Sequence, residues 1–299
     1  YPLHDFSAIN NCNCGKERQV MRIRSFCMHF AYDMKRGIIR RWKWGFLPAI
    51  MFALIWLIAY QTKLTIWETR PIGAYIDYIL FCFKGRNPIT SNALTQRFDL
   101  PIFWICIFMG ALLVTASYSG TEIDNYSLQI IIRAGTRKAW WGSKCIWCVI
   151  ATLCYFFSAY CTVALLCVST GVPISLTNSI ELSGSFLNVN LAHHHIGVMD
   201  NIQIGFFLPV LFAVFLNLLQ LTLNLFFSKM LSFLICIAFL ILPSYYTSEF
   251  IIGNYAMAAK SNLIIENGLN PANGLFVLCI AVFMLVLTGL IRAEYIDFL

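Results

Sequence analysis

The chain has 299 residues, of which 59% are apolar and 12% charged, whereas an ordinary soluble domain carries roughly 25% charged residues. That balance excludes water as the main solvent and selects a bilayer. The formal net charge of +7 requires no nucleic acid, because basic residues beside a membrane pair with anionic lipid.

Residues 1–20 show no apolar period and include Asn10-Asn-Cys-Asn-Cys-Gly15. They are expected to be a disordered lead-in, without the pattern of a signal peptide. Over 21–43, Ile23, Phe26, Phe30, Ile38 and Ile39 interleave with Arg22, Arg24, Lys35, Arg36, Arg40 and Arg41. This spacing predicts a basic amphipathic helix lying on the inner membrane surface. Trp42 and Trp44 then stand at the depth of an aromatic belt.

Beyond that helix, 44–299 reads as one transmembrane domain. A charge at a helix centre costs roughly 2.5 to 3.5 kcal/mol on the insertion scale, so spans lie where charge is absent. Charge-free runs of about 19 residues or more separate Lys43 from Lys63, Asp99 from Glu122, Lys144 from Glu181, Asp200 from Lys229, Lys229 from Glu249, and Glu266 from Arg292. The predicted fold is an all-α integral membrane protein with six transmembrane helices, at about 44–62, 100–119, 145–168, 203–226, 230–247 and 273–292. Glu249 to Glu266, which includes Lys260, is too short and too polar for a seventh span and reads as an interfacial or re-entrant helix.

The connections are unequal. Gly73 to Phe83 is an amphipathic piece followed by the breakers Gly85, Asn87 and Pro88, which predicts a short interfacial helix and a lid-like loop. Residues 169–203, rich in Ser, Asn and Gly, form a second outer loop. Between spans two and three, Thr121-Glu-Ile-Asp124 has the form of a capping box that starts a helix. A short helix over Tyr126 to Arg133 would then stop at Gly135. Arg137, Lys138, Trp140, Trp141 and Lys144 lead into span three at headgroup level.

Lys and Arg collect on the cytoplasmic side of membrane proteins. The N-terminal segment, the loop of spans two and three, Lys229 and Arg292 together hold 15 of the 21 basic residues. Both termini are therefore expected in the cytoplasm. Most cysteines fall inside predicted spans and act as small fillers, and Cys145-x-x-Cys148 lacks a second pair. His193-His194-His195 are consecutive and cannot all face one ion, so no metal site is expected. No Gly-x-x-x-x-Gly-Lys-Ser/Thr loop occurs, so any dependence on ATP requires a partner. Inside the spans the polar side chains gather in span four at Asn217, Gln220, Thr222 and Asn224. They serve either as hydrogen-bonding glue between helices or as the wall of a substrate path.

Several stretches together resemble one family. They are Asp77-Tyr-Ile-Leu80 with Gly85 ahead of Leu100-Pro101, then Gln129 with Arg133-Ala-Gly-Thr-Arg-Lys-Ala-Trp-Trp141 and Ser143-Lys144, then Gly253-Asn-Tyr-Ala-Met257 and Asp297-Phe-Leu299. This pattern is similar to the membrane subunits of ABC exporters of the type-2 permease class, especially those of Gram-positive bacteria that export peptides or bacteriocins or give immunity to them. The resemblance covers most of the chain from Met21 onward, and residues 1–20 depart from it. It implies a six-span permease in the bacterial plasma membrane that pairs with a second permease chain, the same or related, and with two ABC ATPase subunits. It also implies no cofactor in this chain, ATP and Mg on the partner ATPase, and ATPase coupling through Asp124, Tyr126, Gln129, Arg133, Arg137 and Lys138. The cargo would be a hydrophobic or amphipathic molecule such as a peptide. The alternative is a membrane sensor or immunity protein that binds a peptide at its outer loops without moving it.

Overall fold

The computed structural model describes residues 26–28, 30–39, 42–66, 73–87, 100–125, 137–187, 196–265 and 268–295, with the main chain alone at 39, 42, 65, 66 and 117–125. Among the described residues there is no strand, and the sole bridge joins Ser261 and Leu269. Helix is the expected outcome for such apolar sequence, since it satisfies every backbone group within one segment.

The helices are α1 (Phe46–Ile66), α2 (Tyr75–Cys82), α3 (Ile102–Asn125), α4 (Arg137–Ser169), α5 (Ile180–Leu187), α6 (Val198–Leu223), α7 (Lys229–Tyr245) and α8 (Pro271–Tyr295). Among the described residues, four stretches are long and apolar enough to cross a membrane: Lys43–Leu64, Arg137–Ser169, Val198–Leu223 and Pro271–Tyr295. Two shorter apolar helical stretches, Ile102–Ala116 and Lys229–Tyr245, accompany them. At 1.5 Å per residue, the 33 residues of α4 extend about 50 Å, well beyond a hydrocarbon core of roughly 30 Å.

α6 is the central helix, with 67% of its apolar window buried, while α8 lies outside with 17%. The long helices alternate in direction. Phe52 of α1 meets Tyr160 of α4 while Trp56 approaches Tyr78 of α2; Tyr155 of α4 donates to the carbonyl of Ile107 on α3; and Trp141 of α4 donates to Val286 on α8. The near end of the bundle gathers the start of α4, the turn from α6 to α7 and the end of α8. The far end gathers α2, α5 and residues 249–265.

Aromatic rings fill the larger core. Phe83 lies 5.9 Å from Phe52, 6.3 Å from Phe108, 6.1 Å from Phe156 and 6.3 Å from Tyr160 between ring centres, each contact adding about 0.5 to 1.5 kcal/mol to the area buried. A smaller core at the near end holds Trp140, Trp141, Trp147, Cys145, Cys148, Leu218, Leu221 and Ala293.

The structure revises several expectations. Thr121 to Asp124 close α3, which runs unbroken to Asn125, and do not start a new helix; the preceding apolar turns propagate through them at little cost. Trp140, Trp141 and Lys144 are buried within the bundle, because α4 begins eight residues before its predicted span and packs there against α8 and residues 33–37. The stretch read as an interfacial amphipathic helix is α2, buried at every position but Phe81. Residues 249–265, expected as an interfacial or re-entrant helix, form two short tight helical turns, Ile252–Ala256 and Ala258–Lys260, folded into the far end with Gly253 to Ser261 all buried. The segment after α4, expected as a second outer loop, contains α5 and supplies Pro173 and Ser175, whose carbonyls accept from the backbone N–H groups of Tyr75 and Ile76 at 3.1 and 3.3 Å. These bonds satisfy donors that the first turn of any helix leaves without partners. The amphipathic segment before α1 is helical over residues 30–33 and continues as a wider turn, Met34–Ile39.

Candidate functional site

The residues expected to meet an ATPase divide in two. Asp124 is the penultimate residue of α3, and Tyr126, Gln129 and Arg133 lie outside the described residues. Arg137 and Lys138 open α4, and both address the end of α8. Arg137 Nη1 donates to the carbonyl of Glu294 at 2.6 Å, and Lys138 forms an ion pair with the Glu294 carboxylate. A cation at a helix C-terminus is favoured by the helix dipole, but Lys138 is 63% exposed and such a pair contributes little stability. Deeper in, Asp33 accepts from Lys144 Nζ at 2.6 Å and from the Ser143 hydroxyl, all three buried. This pair fastens the segment before α1 to α4, and removing either partner would take a buried charge out of its ion pair.

The polar residues of α6 also divide. Thr115 on α3 donates to Asn217 Oδ1 at 2.8 Å, Asn217 Nδ2 donates to Thr152 on α4 at 2.8 Å, and Thr152 donates onward to the carbonyl of Cys148. Asn217 is thus a tie among three helices, and it is not among the residues that line the cleft between α3, α6 and α7. Thr222 reaches the Leu285 carbonyl of α8 at 3.5 Å.

Gln220 and Asn224 follow Asn217 at i+3 and i+7, on the same helical face, yet they face a space. Together with Leu113 and Ala116 of α3 and Lys229, Met230 and Phe233 of α7 they line a cleft of about 260 Å³. Gln220 is 3% exposed, and its Oε1 is buried without a partner, as is Asn224 Oδ1. The turn below is tightly built, with Asn224 N donating to the Gln220 carbonyl and the Ser228 hydroxyl capping α7 at Leu231 N. Apolar walls with two convergent acceptors suit binding, and among the lining residues Lys229 alone is ionisable.

At the far end lie two polar clusters that sequence reading missed. Asp77 accepts from Ala74 N at 2.8 Å and from the hydroxyl and backbone N–H of Ser179, the residue before α5. Burial pushes its carboxyl up to about 6 against the opposing pull of those bonds. Lys260 Nζ donates to the Pro243 carbonyl at 2.5 Å and to Asn254 Oδ1 at 2.8 Å, and Arg86 donates to the Ser244 carbonyl at 2.9 Å. The last carbonyls of α7, which no helix can satisfy by itself, are therefore held by two cations. Burial, with Arg86 adding to it, brings the Lys260 ammonium down to about 8. The local signals available were Asp77 at the third position of a helix and a lone Lys in an apolar stretch.

Among the described residues no cluster of His, Cys, Asp and Glu is placed to hold a metal, and the cysteines are free thiols; His193, His194 and His195 lie outside the described residues. No protein-family model, no curated protein and no solved structure matches the chain.

Proposed function

We propose that the chain is the permease subunit of an ATP-driven exporter in a bacterial plasma membrane, with α1, α3, α4, α6, α7 and α8 as six spans and both termini in the cytoplasm. It moves a hydrophobic or amphipathic molecule such as a peptide outward, together with a second permease chain and two ATPase subunits that carry ATP and Mg. The observation that carries this reading is the cleft between α3, α6 and α7, which places two unsatisfied amide oxygens in an apolar bundle. The resemblance of Arg133 to Lys144 to a coupling segment supports the ATPase partner. The near end supports it too, since Arg137, Lys138 and Lys144 brace α4 against α8 and against the segment before α1, so that a push on residues between α3 and α4 would be felt by several helices together.

The test is purification of the tagged chain in mild detergent, followed by identification of copurifying proteins and reconstitution into vesicles. A stoichiometric ATPase with a phosphate-binding loop, and ATP-dependent accumulation of an apolar peptide, are the expected results. A monodisperse preparation with neither would sink the exporter reading and leave a sensor or immunity protein that binds without transport.

A further inference from the structure

The geometry points to Gln220 and Asn224 as a recognition pair for an amphiphilic cargo that carries a hydrogen-bond donor, an amide N–H or a hydroxyl, beside an apolar tail. Three side chains share one face of α6. Asn217 is saturated by Thr115 and Thr152, whereas Gln220 Oε1 and Asn224 Oδ1 are buried and meet no donor. A buried acceptor left unmade is costly, and these two, unlike Asn217, border an open space. Water is a poor substitute. The space would hold several molecules, each needing two to four polar partners, while Gln220, Asn224 and Lys229 are the polar side chains of the lining and Leu113, Ala116, Met230 and Phe233 offer none.

The rim defines the route. Met230 is 75% exposed and Leu113 is exposed as well, so the cleft opens sideways between α3 and α7, toward the surface that lipid would cover. A molecule dissolved in the bilayer therefore enters without passing through water and exchanges no hydration shell for its apolar part. Its donor meets the two oxygens near the end of α6, and Lys229 stands beside the entrance. That this occupant is cargo rests on the exporter reading; that a donor is recognised there does not.

The probe is a diazirine-bearing dodecanamide, photolysed with the full-length protein in phosphatidylcholine nanodiscs, and the label is mapped by peptide mass spectrometry. Crosslinks should concentrate at 113–116 and 230–233. The N,N-dimethyl analogue, which has no N–H, should label roughly three- to tenfold less, the worth of one hydrogen bond. Gln220→Leu with Asn224→Leu should erase the difference between the probes; both changes replace unsatisfied amides, and a thermal melt of the variant checks that it folds. Equal labelling of the wild-type protein by the two probes, or label placed elsewhere, overturns the inference without any variant. Suppression of labelling by added phosphatidylethanolamine would make the occupant a resident lipid and overturn its role as cargo seat. The assay uses neither ATP nor ATPase, so labelling without transport removes only the exporter reading, and transport without labelling removes only this site.

Discussion

The hydroxyl of Tyr160 on α4 donates to the carbonyl of Gly205 on α6 at 3.0 Å. Gly205 stands four residues before Pro209, which has no N–H to offer it, and the wider helical turn Gln203–Phe207 lies at the same place. A hydroxyl from one helix thus replaces a backbone donor that another lacks. Tyr160→Phe should lower stability by about 1 to 3 kcal/mol, the cost of an unsatisfied buried acceptor. Pro209→Ala introduced into that variant should recover much of the loss, because an alanine at this position brings its own N–H. Thermal unfolding in detergent reads both, and an absence of coupling between the two changes would refute the substitution of donors.

Asp77 sets a pH dependence. Burial pushes its carboxyl up to about 6 from the ordinary 3.8. Between these values the folded state binds more protons than the unfolded one, so stability falls as pH rises through that window. Asp77→Asn should flatten the melting temperature between pH 4 and 6 while leaving the rest of the profile in place. An unaltered slope in the variant would assign the dependence to another group.

Lys260 acts at the other end of the scale. With its ammonium brought down to about 8 from 10.5, the unfolded chain binds more protons than the folded one between those values. Stability should therefore rise with pH there. Lys260→Met should abolish that rise. It should also cost about 1 to 3 kcal/mol at neutral pH, because the Pro243 carbonyl and Asn254 Oδ1 lose their donor. Equal melting temperatures for variant and wild type at pH 7 would contradict the cap.

Gly289 is where α8 meets Trp141. A Cβ there would fall inside the indole ring, which is itself fully buried and donates to the Val286 carbonyl. Gly289→Ala should destabilise by about 1 to 3 kcal/mol through overpacking. A smaller residue at 141 should restore part of it, so Trp141→Leu combined with Gly289→Ala ought to melt above the sum of the single losses. Strict additivity would show that the two do not share the contact.

The apolar helices are legible in the sequence because charge at a helix centre is expensive, and Lys43, Lys63 and Lys229 mark ends that the structure keeps within a few residues. The start of α4 is not, because Lys144 is buried by pairing with Asp33, 111 residues away, which no local window can reveal. α2 misleads for the same reason: its Asp77 looks like a solvated face until Ser179, 102 residues on, supplies the bonds that let it be buried. In α6 the spacing of Asn217, Gln220 and Asn224 puts three amides on one face. Which of them is tied depends on Thr115 and Thr152, and those partners become visible only when three helices are brought together.

The two cations on the last carbonyls of α7 have a mechanical consequence. Arg86 follows α2 and Lys260 belongs to the turns after α7, and the two segments are joined by Ala258 and Ala259 donating to the carbonyls of Phe83 and Lys84. One end of α7 is therefore bolted to a small framework, while Met230 at its other end borders the cleft and projects outward. Any tilt of α7 has its fulcrum at Ser244. A helix of 17 residues gives a lever arm of roughly 25 Å, so a swing of about 10° carries Met230 by about 4 Å. α7 is anchored at its far end by two cations, and the cleft lies at the opposite end, where the capped turn joins it to α6.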